Sequence, residues 1–183
     1  MPSIRWRRLD LRGTDRATLA PTENGHILIG HAQFQDPQGD CDLHYSVVAD
    51  SQWRTREAHI DGVGPFGPLS LHIVASPGQW RLNGERVAAL DGSIDVDLAF
   101  TPATNLLSIR RLALEPGQSA EVVAAWLAFP QSELRPLRQI YDRLPGQRYA
   151  YRCPDLPFES ELRVDGSGFV TSYPPLWISD PRP

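Results

Sequence analysis

From Cys41 to Val48 the chain alternates without a break. Cys41, Leu43, Tyr45 and Val47 fall on one side, and Asp42, His44, Ser46 and Val48 on the other. A period of two places successive side chains on opposite faces of a strand and cannot sort them on a helix. The pattern recurs in Leu69, Leu71 and Ile73 against Ser70, His72 and Val74. It recurs again in Phe158, Ser160, Leu162 and Val164 against Glu159, Glu161, Arg163 and Asp165. The runs 26–34, 52–60, 79–82, 85–90, 120–129, 134–142 and 148–152 also read as strands. Short turn signals separate them: Asn83-Gly84, Asp91-Gly92, Pro116-Gly117, Pro145-Gly146 and Gly166-Ser167-Gly168. Asn-Gly between two strand patterns is the strongest of these, a two-residue hairpin. Such spacing predicts a mostly-β protein of antiparallel hairpins. The tail 174–183 is rich in proline and reads as an irregular end.

With 183 residues the chain is long enough for one domain, 1–183, that buries roughly 70% of its unfolded surface without disulfide staples. The net charge of −4 speaks against general nucleic-acid binding. All 18 basic residues are arginine, which excludes lysine nucleophiles and Schiff bases. Cys41 and Cys153 fit reduced thiols of a cytoplasmic protein. The opening MPSIRWRRLDLRG lacks the apolar core of a signal peptide, and no apolar run is long enough to span a membrane. There is no P-loop, no dinucleotide-binding glycine fingerprint and no internal repeat.

Ile94–Leu114 departs from the strand pattern. It begins as one, Ile94, Val96, Leu98 and Phe100 alternating with Asp95, Asp97, Ala99 and Thr101. As a strand, 105–114 would have two mixed faces. As a helix capped by Thr104 or Asn105 it is apolar nearly all round except at Arg110 and Arg111, which describes a buried helix. One short internal helix of two to three turns is expected there.

Asp95 and Asp97, two apart on a strand, point the same way with Cα atoms roughly 6.6 Å apart. Inverting glycosidases hold their carboxyls about 6.5–9.5 Å apart, but any Asp-x-Asp strand has this spacing. Pairing with Arg54, Arg56, Arg110 or Arg111 explains the carboxylates equally well, since buried charges need partners. On a strand 52–60, Arg54 and Arg56 would share a face and could grip a phosphate or carboxylate, with Trp53 near a sugar ring. The histidines 26, 31, 44, 59 and 72 lack H-x-H or H-E-x-x-H spacing, so no metal site is expected, although they fall on successive strands. No nucleophile-elbow motif supports Ser-His-Asp catalysis.

Three blocks, DSQWRTREAHI at 50–60, IDVDLAFTPATNLLSIRRLAL at 94–114 and VDGSGFVTSYPPLW at 164–177, resemble the putative glycolipid-binding family, a bacterial domain family first catalogued without a function. Gly78-Gln79-Trp80 and Gln139-Ile140-Tyr141 resemble its smaller landmarks. Ala103 and Ser108 depart from the family pattern, which usually has an aromatic after Thr-Pro and a proline before Ile-Arg-Arg. The resemblance implies a spiral β-roll, a long antiparallel sheet wrapped around a single helix. It brings no catalytic residues and no cofactor.

Three functional readings follow. The favoured one is non-catalytic binding of a glycolipid or similar amphiphile, its head meeting some of Trp53, Arg54, Arg56, Asp97, Asn105, Arg110 and Tyr173. The second is an enzyme of glycolipid or carbohydrate metabolism with Asp95 and Asp97 as acid and base. The third is a homodimeric structural or interaction module.

Overall fold

The computed structural model describes residues 1–76 and 78–180. It contains fifteen strands in one sheet and one α-helix. On the first wing, β1 (Ser3–Arg8), β2 (Gly13–Thr22), β3 (Gly25–Asp36), β4 (Gly39–Asp50), β5 (Thr55–Gly64), β6 (Gly67–Ser76), β7 (Gln79–Leu82) and β8 (Glu85–Arg86) form a meander. A 3₁₀ turn at Ala88–Leu90 leads to β9 (Val96–Leu98) and α1 (Asn105–Leu112). The second wing then returns through β10 (Ser119–Ala128), β11 (Glu133–Leu144), β12 (Arg148–Cys153), β13 (Phe158–Val164), β14 (Val170–Tyr173) and β15 (Trp177–Ser179). β15 pairs with β1, so the two wings make one continuous sheet from β8 to β9. All neighbours are antiparallel except β9 and β10.

The period-two pattern becomes burial. In β4, Cys41, Leu43, Tyr45, Val47 and Ala49 are buried, and Leu28, Gly30, Ala32 and Phe34 of β3 lie on the same inner side. Asn83 (φ 49°) and Gly84 (φ 87°) both adopt the left-handed conformation at the predicted hairpin, as the favoured two-residue turn requires.

The sheet rolls until its far end meets its beginning. Thr55 donates its N–H to the Ile94 carbonyl (3.2 Å), its hydroxyl accepts the Val96 N–H (3.1 Å), and the Trp80 indole donates to the Ser93 carbonyl (3.0 Å). Val96 and Leu98 of β9 are thereby buried, as are Asp95 just before it and Ala124, Ala125 and Leu127 of β10, while Asp97 on the other face of β9 is half-buried. This is a spiral β-roll around a single helix.

In α1, Asn105 through Ile109 are all buried, including Ser108, while Arg110 reaches solvent. The helix stops because Ala113 turns left-handed (φ 45°) and donates its N–H to Ile109 (3.1 Å). Arg110 and Arg111 in the last turn lie where the helix dipole favours cations. The expected side-chain cap is absent. Thr104 occupies the cap position, but its hydroxyl accepts the Leu98 N–H (3.3 Å) and so fixes the helix to β9.

Several expected boundaries shift. The strand expected at 52–60 starts at Thr55, because Asp50 accepts the N–H groups of Gln52 (2.8 Å) and Arg54 (3.0 Å) and folds 50–54 into a turn. The run 85–90 keeps only Glu85–Arg86 as strand before the 3₁₀ turn. The tail expected to be irregular contributes β15, held against Tyr173 and Arg8. β1, β2 and β14 were not expected from the alternation.

A buried polar tie joins the wing to the helix entrance. Asp15 of β2, 1% exposed, accepts hydrogen bonds from the Tyr45 hydroxyl (3.1 and 3.0 Å) and the Thr101 hydroxyl. Burial pushes its carboxyl up to about 7, against the opposing pull of these hydroxyls. Tyr45 reaches Asp15 by lying over Gly30, its cross-strand partner, where a Cβ would stand 2.0 Å from the ring.

Candidate functional site

The strand–helix passage from Asp95 to Arg111 places the carboxylates first. Asp95 and Asp97 face the same side, but their fates differ. Asp95, 1% exposed, receives both arms of Arg111: Nε to Oδ1 at 2.8 Å and Nη2 to Oδ2 at 2.5 Å. This bidentate pair closes the expected Asp–Arg tie and uses both oxygens of Asp95. Its adjacent cation, Arg110, turns away into solvent.

Asp97 is half-buried and has no cationic partner among the described residues. A relay from the helix ends on it. Asn105 donates to the Tyr141 hydroxyl (3.0 Å), Tyr141 donates to Gln139 Oε1 (3.3 Å), and Gln139 Nε2 donates to Asp97 Oδ2 (2.5 Å). Its second oxygen, Oδ1, accepts no hydrogen bond from the described residues. Burial pushes the carboxyl up to about 6, with Gln139 pulling the other way.

An aromatic cluster lies close enough to feel the charge of this carboxyl. Tyr141 and Tyr151 are 4.9 Å apart, Tyr173 meets Tyr151 edge-on at 5.7 Å, and Phe158 meets Tyr173 at 5.9 Å. Their hydroxyls are raised mainly by burial, and the Asp97 charge adds to the rise at Tyr141, Tyr151 and Tyr173. Cys153 donates its thiol to Tyr151 (3.1 Å) and is itself pushed up to about 11 by burial, which leaves it a poor nucleophile.

The remaining expected residues lie elsewhere. Trp53 sits in the turn at φ 64°, stacks on His26 at 3.7 Å, and receives the Arg110 guanidinium 5.1 Å from its ring centre. Arg54 is exposed, and Arg56 is tied to Asp50 at 2.6 Å. The two line a small groove of 210 Å³ but form no shared anion clamp, because the turn displaces Arg54 from the strand face. The expected set therefore divides: Asp97, Asn105 and Tyr173 share one cluster, Trp53 and Arg110 another, and Arg54 and Arg56 stand apart. Gln139, Tyr141, Tyr151 and Cys153 were missed as site residues. Gln139 carried a usable signal, being a polar residue at an inward position between Leu137 and Tyr141.

A groove of 530 Å³ is lined by the Asp95–Arg111 pair together with Ile94, Leu112, Val122 and Val123, and by none of the residues of the Asp97 cluster. Ile94 and Val123 expose 36% and 40% of their surface there. A larger groove of 970 Å³ lies on the first wing, where Arg8, one of its lining residues, is spoken for by Asp10 at 2.8 Å and by the rings of Phe34 and Trp177. No described helix is long and apolar enough to cross a membrane.

The family model described as "Putative glycolipid-binding" matches residues 3–178. The chain belongs to this family. A solved DUF1089 family protein from Pseudomonas aeruginosa is 32% identical, with a TM-score of 0.79 over 90% of this chain and 91% of that one. No curated protein matches. This family member thus shares the spiral roll with a relative across nearly its whole length.

Proposed function

We propose that this chain binds a sugar-bearing amphiphile without transforming it. One observation carries the reading: Asp97 is a half-buried carboxyl with one oxygen fixed by Gln139 and the other uncommitted, and its charge is felt by Tyr141, Tyr151 and Tyr173. A positioned carboxylate that accepts hydroxyl protons beside aromatic faces suits a carbohydrate head. Asn105 and Tyr173 complete that end of the site, and Arg110 over Trp53 offers a second, cationic contact. The groove lined by Ile94, Leu112, Val122 and Val123 also includes Asp95, two residues before Asp97 in the chain, and its volume lies within the ordinary range for ligand sites. An acyl chain there gains about 0.8 kcal/mol per buried methylene.

The two-carboxylate enzyme is the weaker reading. Asp95 is sealed by Arg111 and so has no free oxygen to serve as acid or base. The buried thiols Cys41 and Cys153 support a cytoplasmic setting.

The test is a two-sided screen on purified protein. Saturable binding to a glycolipid panel is expected, with no hydrolysis of the panel or of aryl glycosides. Binding should strengthen as pH rises through about 6, where Asp97 ionises, because hydrogen bonds to a charged acceptor are worth ~1.5–3 kcal/mol. Asp97→Asn should weaken binding roughly tenfold or more and remove the pH step. No binding to any panel member, or turnover abolished by Asp97→Asn, would overturn the proposal.

A further inference from the structure

We propose that Glu57, His59 and His72 form a binding site for a divalent transition-metal ion, Zn²⁺ or a chemically similar ion, on the outer face of the sheet. The site follows from strand geometry. Glu57 and His59 are two apart on β5 and share a face, and His72 stands directly opposite His59 on β6. Cross-strand partners have Cβ atoms about 4.5–5.5 Å apart, close enough for two imidazoles to reach one point. The rings lie nearly parallel with centres 4.2 Å apart. Both Nε2 atoms converge on the same carboxylate oxygen: Glu57 Oε1 is 3.0 Å from His59 and 2.6 Å from His72.

Two imidazole nitrogens and one carboxylate oxygen form the donor set that catalytic zinc sites use, with a further position left open. Zinc bonds of about 2.0–2.2 Å in a tetrahedron separate ligand atoms by roughly 3.3 Å. Glu57 Oε1 and His72 Nε2 need only move apart by less than about 1 Å to admit the ion. The side chains are 41%, 45% and 43% exposed for Glu57, His59 and His72, so they have room for that movement and the ion has a direct path. Each imidazole then carries its proton on Nδ1 and presents Nε2 to the metal. No described arginine makes an ion pair with Glu57, whose partners are the two histidines.

A second group on the same face, His31, Asp42 and His44, serves as an internal control. There Gln33 donates to Asp42 at 2.7 Å, and a guanidinium nitrogen of Arg16 lies 3.5 Å from His31 Nδ1. That arginine places positive charge beside the ring and favours the tautomer with the proton on Nε2, the atom that faces Asp42. The Glu57 group has no such competitor, and this separates the two.

Zn²⁺ alone, titrated into the chelator-treated full chain by calorimetry, should bind saturably at one tight site. His59→Ala and His72→Ala should each weaken it by roughly tenfold or more, and Glu57→Gln should also weaken it. His44→Ala should leave it unchanged. Co²⁺ should give visible absorption bands that disappear in His72→Ala. The absence of saturable Zn²⁺ binding in the wild type would overturn the inference. So would wild-type affinity in His72→Ala, or a loss in His44→Ala equal to that in His72→Ala.

Discussion

Replacing Arg111 with Met isolates the tie that holds α1 to β9. Methionine keeps much of the apolar stem of arginine, so the change removes mainly the two hydrogen bonds to Asp95, at 2.8 and 2.5 Å. Asp95 is 1% exposed and is left as a buried carboxylate without its cation. Breaking a buried pair by deleting one partner costs about 3–5 kcal/mol. Arg111 is 17% exposed, and water reaching its outer end places the cost near the low side, about 3 kcal/mol. Losing a cation in the last turn of the helix adds ~0.3–1 kcal/mol. For a chain of this size each kcal/mol moves Tm by about 2–4 °C, so a fall of roughly 6–15 °C is expected. The assay is urea unfolding of Arg111→Met, Asp95→Asn and the double variant. The double variant should be more stable than the two single losses predict, by ~1.5 kcal/mol or more. Added salt should change the result little, because the pair is shielded from solvent. A loss below about 1 kcal/mol for Arg111→Met, with additive energies in the cycle, would give the pair only the value of an exposed one and refute the reasoning.

Two further outcomes concern the Asp15 tie. Its folded pKa of about 7 lies above the ordinary value of 3.8, so the folded state holds a proton that the unfolded state has lost. Its contribution is therefore fully present below about pH 4 and is lost as pH rises through about 7. Asp15→Asn should gain stability relative to wild type across that window, by up to about 4 kcal/mol; an unfolding difference that stays flat between those pH values would contradict this. Gly30→Ala would place a methyl 2.0 Å from the Tyr45 ring. It should cost about 3 kcal/mol or more, from overpacking and from separating Tyr45 from Asp15, and thermal melts within 1 °C of wild type would rule that out.

What the sequence disclosed depended on how local the cause was. β4 was legible because its pattern and its burial are the same alternation. α1 was legible because neither strand face of 105–114 was uniform, and the all-round apolar pattern corresponds to a helix enclosed by sheet. β2 was not, since its inward row begins with Asp15, a charge that makes sense only beside Tyr45 of β4 and Thr101 of the loop before α1. The turn at 50–54 was hidden for a related reason: Asp50 captures N–H groups that the alternation alone assigns to a strand. Asp97 and Asn105 were singled out in the sequence, but the relay that joins them passes through Gln139 and Tyr141, which only the register of β11 places there. The Glu57–His59–His72 group escaped spacing rules because its third member arrives across a hairpin.

The pairing of β1 with β15 divides the molecule by folding order. Within each wing, hairpins join residues close in sequence, and such contacts form early and at small entropic cost. The seam is different: Trp6 pairs with Ser179 and Arg8 with Trp177, and the Trp6 indole donates to the Val170 carbonyl at 2.5 Å. These contacts close the longest loops in the sheet, so they are the slowest to form. During synthesis the first wing must wait, one edge unpaired, until Trp177 has emerged. An unpaired edge strand is a template for other chains, and β1 carries Arg5, Arg7 and Arg8 in its short length, charges of the kind that discourage wrong partners during that wait.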